Sequence, residues 1–158
     1  MSLKLLLARV ISRFSNFYKA HVFWRKIDRA LALHQRGEVR SDGLQLISAQ
    51  AILRIEWLAR SIHPWDRDLP TNVTDRLFAE QCLADTDAAI NRLFAEVPIL
   101  NTIEICVRRD SSRPPILKGT VHRELLTTRG HGPIGMRLRA IGIGFRLHDL
   151  CLEEIEAS

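Results

Sequence analysis

The sequence predicts an α+β fold, an N-terminal helical segment followed by a βαββαβ two-layer sandwich. Three observations carry this. Residues 1–40 show a helical apolar period, a second helical period runs from about Thr74 to Glu96, and four shorter stretches alternate apolar and polar side chains as half-buried strands do. With 158 residues, 46% hydrophobic and 26% charged, the chain has the size and composition of one ordinary domain, and no repeat or low-complexity tract interrupts it. The boundaries read from the sequence are 1–40 for a basic amphipathic segment and 41–158 for a compact α+β domain, packed as a single globular unit.

The first segment holds the charge. Residues 1–40 carry nine basic side chains (Lys4, Arg9, Arg13, Lys19, Arg25, Lys26, Arg29, Arg36, Arg40) against Asp28 and Glu38, a balance of +7. The remaining residues carry fourteen basic and sixteen acidic side chains, so the net +5 belongs to the N-terminal quarter. Leu3, Leu6, Leu7, Val10, Ile11, Phe14, Phe17 and Tyr18 recur at steps of three and four and cover an arc of roughly 140°. From Phe23 onward the stripe Phe23, Trp24, Ile27, Ala30, Leu31 points roughly 120° away from the first, which predicts a kink or a change of packing partner. Gly37 is a plausible stop, with Arg36 at the negative end of the helix dipole.

Leu53, Ile55, Trp57 and Ala59 alternate with Arg54, Glu56 and Arg60 as a first strand, although Ile52, Ile55, Leu58, Ala59 and Ile62 also fit a helical period. A proline-bounded loop, His63 to Pro70, follows. Thr74 is the expected cap of the long helix, with Phe78, Cys82, Ala89, Ile90, Leu93, Phe94 and Val97 on one face and Pro98 ending it. Ile103, Ile105 and Val107, then Ile116 to Glu124, read as a hairpin across the turn Asp110–Pro115. Ile134 to Ala140 reads as a short helix, and Ile143, Phe145 and Leu147 as a last strand. This order matches the ferredoxin-like split βαβ unit. Without its first strand it also matches the α-β-β-α-β core of restriction-endonuclease-like nucleases, so element order alone does not choose a function.

Several patterns have the residue types of a chemical site. A metal-dependent nuclease core needs a carboxylate on one hairpin strand and an E-x-K or D-x-K triplet on the next, carboxylates for the metal and lysine for the attacking water. Glu104 fills the first place, but Lys118 has no carboxylate two residues before it, so Glu104, His122 and Glu124 would have to meet through register. His63, Asp66 and Asp68 are ligand types in one loop. The structural alternative has the aspartates bonding local amides and Trp65 packed inward. Gly130, Gly132 and Gly135 match G-x-G-x-x-G, but no hydrophobic strand precedes them. A phosphate on the short helix, near Arg137 and Arg139, is the lesser reading. Cys82, Cys106 and Cys151 form no C-x-x-C pair and read as small core residues of a protein in a reducing compartment. No metal or cofactor is implied.

Arg9 and Arg13 interrupt Leu5–Leu7, no cleavage site follows, and no window approaches the ~18 apolar residues of a membrane span; a cytoplasmic location is expected. The Asn72-Val73-Thr74 sequon is accordingly accidental. The function expected is that of a non-catalytic interaction protein, or subunit of a larger assembly, docking through Leu3, Leu7, Phe14, Phe17 and Trp24 onto a protein partner or a second copy. The alternative is nucleic-acid binding through Arg9, Arg13, Arg25, Lys26 and Arg29, with Arg108 and Arg146 on an arginine-bearing sheet face that would also show Arg54, Arg60, Lys118 and His148. The strand aromatics Trp57 and Phe145 fall on the inward side, away from any stacked base. A membrane-surface contact by the basic segment and an active or degenerate nuclease are the remaining readings.

Overall fold

The computed structural model describes residues 22, 23, 25–27, 29, 39–47, 52–127 and 130–155. The described positions between 22 and 29 are helical (α1). They are followed by β1 (Val39–Ile47), β2 (Ile52–Leu58), a 3-10 turn (Pro64–Asp66), α2 (Thr71–Glu96), β3 (Thr102–Arg108) and β4 (Pro115–His122). A second 3-10 turn (Arg123–Thr127), α3 (Ile134–Ala140), β5 (Ile143–His148) and β6 (Cys151–Glu153) complete the chain.

Strands β1 to β5 form a mixed sheet in sequential order, and β6 continues it from β5. All neighbours are antiparallel except β2 and β3, which run parallel from Ile52↔Thr102 to Leu58↔Arg108. A parallel pair needs a long crossover, and the 26 residues of α2 supply it. The α+β class therefore holds, but the ferredoxin-like arrangement is not seen. In a split βαβ unit another strand separates the parallel pair, whereas here β2 and β3 bond directly.

Period-two alternation sets the two faces of the sheet. Leu53, Ile55 and Trp57 pair with Ile103, Ile105 and Val107, and this row continues to Val121, Leu117 and Phe145. These side chains are buried in one cluster with Phe78, Cys82, Ile90, Leu93 and Phe94 of α2, Leu138 of α3 and Ile27 of α1. On the other face stand Arg54, Glu104 and Thr120 in one row, and Glu56, Cys106, Lys118 and Gly144 in the next.

Other expectations shift. The strand reading of 52–58 prevails over the helical one because its neighbours on both sides are strands. Strand β1 has no alternation to announce it, its apolar residues being interrupted by Ser41-Asp42-Gly43, where the ladder slips between Val39 and Leu44; it also crosses the boundary placed at residue 40. Helix α2 starts three residues before Thr74, capped by Pro70, and the Thr74 hydroxyl donates to the Thr71 carbonyl instead. Trp65 is 87% exposed, not packed inward. Of the cysteines only Cys82 is buried. The stop at Gly37 lies outside the described residues.

The α3–β5 connection is fixed by glycine. Gly142 has φ +100°, and a Cβ on it would lie 2.6 Å from the Thr120 carbonyl oxygen. A Cβ on Gly119 would collide with the Gly142 carbonyl oxygen. The turn thus presses backbone against backbone on β4, which only glycine permits.

Candidate binding groove on the open sheet face

The polar face of β2 to β5 is concave, with a cavity of about 790 Å³ lined by Glu104, Cys106, Lys118, Thr120, Gly144 and Arg146 among others. Its acids are engaged. Arg54 Nε donates to Glu104 Oε2 at 2.7 Å, and Arg108 Nε donates to Glu56 Oε1 at 2.7 Å while its NH1 holds the Arg113 carbonyl at 2.7 Å. Half-buried Lys118 and exposed Arg146 have no ion-pair partner among the described residues. Glu153 is the register partner of Arg146 but forms no ion pair with it. Burial raises the thiol pKa of Cys106 above the ordinary 9.0; Arg108 beside it opposes that rise. Cys82, on the buried side of α2, is pushed up to about 12 by desolvation first and the Asp85 charge second, so it is a neutral, unreactive thiol near neutral pH.

The arginine-bearing face expected from the sequence is present in part. Arg54, Arg108, Lys118 and Arg146 share it, but Arg108 is committed to Glu56. Arg60 lies beyond β2, where it grips Asp85 of α2 through two bonds of 2.6 and 3.0 Å. His148 sits at the far end of β5, 3.6 Å from Asp149. Arg25, Lys26 and Arg29 are exposed on α1. Leu3, Leu7, Arg9, Arg13, Phe14, Phe17 and Trp24 lie outside the described residues.

The remaining constellations do not assemble. Glu104 faces Thr120 across the ladder rather than a second carboxylate, and the His122 ring nitrogen bonds the Thr102 hydroxyl at 3.1 Å. Lys118 faces Cys106, and Glu124 has left the sheet for the 3-10 turn. His63 Nδ1 accepts from the Trp65 amide at 3.3 Å and its ring meets the indole edge-on. No group of three or more His, Cys, Asp or Glu that could hold a metal occurs among the described residues. Arg137 pairs with Asp87 at 2.9 Å and Arg139 lies over the Phe145 ring, so neither waits for a phosphate at the glycine loop. The groove itself was half visible in the sequence. Alternation put Glu104, Cys106 and Lys118 on one side, but which residues stand opposite one another is a property of register.

No helix among the described residues is long and apolar enough to cross a membrane. In comparison with known proteins, the chain matches no family model, no curated protein and no solved structure.

Proposed function

We propose that this chain is a non-catalytic interaction protein of the cytoplasm, a subunit of a larger assembly that docks through its N-terminal segment. The observation that carries this is the way α1 is fastened. Ile27 is fully buried and Phe23 packs partly against the same cluster, while Val22, Arg25, Lys26 and Arg29 are exposed. A helix held to the body by one face offers the other to a partner, and the docking side chains proposed on this segment are Leu3, Leu7, Phe14, Phe17 and Trp24.

Because Ile27 belongs to the core, deleting the whole segment would test folding rather than docking. The discriminating variant keeps Phe23 and Ile27 and removes proposed docking side chains: Leu3→Ser, Leu7→Ser, Phe14→Ser and Phe17→Ser together. In native-size measurements on fresh extracts the unaltered chain is expected well above its monomer mass, with the variant at monomer mass. An unaltered chain at monomer mass overturns the reading.

A second reading, nucleic-acid binding, is favoured by the same exposed cations, which suit phosphate contacts. It requires that nuclease treatment of the extract dissolve the complex and that affinity fall steeply with salt. A complex resistant to both belongs to a protein partner.

A further inference from the structure

We propose that the groove on the open sheet face binds a small-molecule phosphate monoester, its phosphate held between Lys118 and Arg146. This goes beyond docking through the N-terminal segment and rests on a different surface.

Charge is the first argument. The two arginine–carboxylate pairs neutralise one another, leaving two adjacent cations unmatched by any ion pair among the described residues. Lys118 is the register partner of Gly144, and Arg146 lies two residues along the same strand. They are therefore diagonal neighbours, with backbones roughly 7–8 Å apart, and both long side chains can reach one anion between them. A phosphate monoester carries about −1.5 to −2 at neutral pH and matches two cations, where a carboxylate matches one. A localised pair, with the exposed Glu153 across from Arg146 as its acidic neighbour, suits one compact dianion rather than a polyanion, and Trp57 and Phe145 are buried, so neither ring stands exposed for a base to stack on.

Shape is the second argument. The cavity, about 790 Å³, is of small-ligand size, within roughly 300–1,000 Å³. Between the two cations the floor is Gly144, where a Cβ would sit 3.4 Å from the Lys118 carbonyl oxygen, at the edge of ordinary contact. The fold therefore does not demand glycine there. Its effect is to keep the floor there free of a side chain, and Cys106 and Ile155 also line the cavity, where an apolar body could rest.

The test is an amide-resolved titration of the full chain with inorganic phosphate, phenyl phosphate, AMP and, as the monoanion control, acetate. Saturable shifts at Gly142 and Gly144 with at least one monoester, weaker with phosphate and absent with acetate, are expected. Lys118→Gln and Arg146→Gln should each weaken binding about tenfold, as loss of one charge-assisted contact does, with the spectrum otherwise unchanged. Arg67→Gln, on the exposed turn before α2, should leave affinity unaltered. Shifts elsewhere only, monoester affinity indifferent to Lys118→Gln, or tighter binding of a single-stranded oligonucleotide to the same glycines would overturn the proposal. None of these results depends on the mass of the complex in extracts, so the two readings fail separately.

Discussion

Arg123 does for α2 what its own sequence does not. The helix ends without a basic residue in its last turn, and the Leu100 amide meets the carbonyl of its C-cap residue Val97 at 3.1 Å. From the end of β4, the Arg123 guanidinium donates to the carbonyls of Leu100 at 2.8 Å, Phe94 at 2.9 Å and Val97 at 3.0 Å, and its plane lies over the Phe94 ring. A cation at the negative end of the dipole, with its donors filled by half-buried acceptors, is worth more than an exposed ion pair. Arg123→Gln is expected to lower the unfolding free energy by about 2 kcal/mol. Arg123→Lys should recover only part of it, because an ammonium keeps the charge but not the planar fork. Denaturant midpoints at constant slope would measure both, and an unchanged midpoint for the glutamine variant would remove the role. Nothing in the linear sequence marks this residue, since its partners lie up to 29 positions away.

At the scale of elements, the hairpin β5–β6 shows what local pattern conveys and what it omits. The alternation of Ile143, Phe145 and Leu147 identifies β5, but β6 is three residues long and joined through Asp149-Leu150, a pair without the glycine that ordinarily announces a two-residue turn. Both residues nevertheless have positive φ, 48° and 68°, as a type I′ turn requires. For leucine that conformation is strained, and the exposed Leu150 side chain offers little packing in return. Leu150→Gly is therefore expected to stabilise the protein by about 0.5–1 kcal/mol, whereas Leu147→Gly, three residues earlier and on strand β5, should destabilise it by about 1 kcal/mol. Thermal unfolding of the pair tests the sign: a loss at Leu150→Gly would mean the side chain matters more than the backbone. The long helix, the β3–β4 hairpin and α3 were legible for the opposite reason, each having a period, a turn or a breaker within its own residues. Strand β1 was not legible, because it is defined by its ladder to β2 across a register slip.

For the molecule as a whole, the connection of the basic segment to the body is the point on which sequence and structure differ most. Composition divides the chain near residue 40, with cations before it and a slightly acidic body after it. Packing does not respect that division: Ile27 is as fully buried as Ile90 or Leu93 and shares their cluster, and β1 straddles residue 40 to pair with β2. Charge is a property of surfaces and can change abruptly along a chain, while a core is assembled from whatever apolar faces the topology brings together. The change in stripe direction after Phe23 was the one sequence sign of this, since Phe23 and Ile27, four residues apart, are the inward positions. If α1 is part of the cooperative unit, Ile27→Ala should cost about 2–4 kcal/mol, the range for a buried isoleucine cut to a cavity. Arg25→Glu, on the neighbouring exposed face, should stay within about 0.5 kcal/mol of the unaltered chain. A single unfolding transition, shifted by the first substitution and not by the second, is the expected result. Insensitivity to Ile27→Ala would detach the segment from the core and return it to the independent basic arm that its charge suggests.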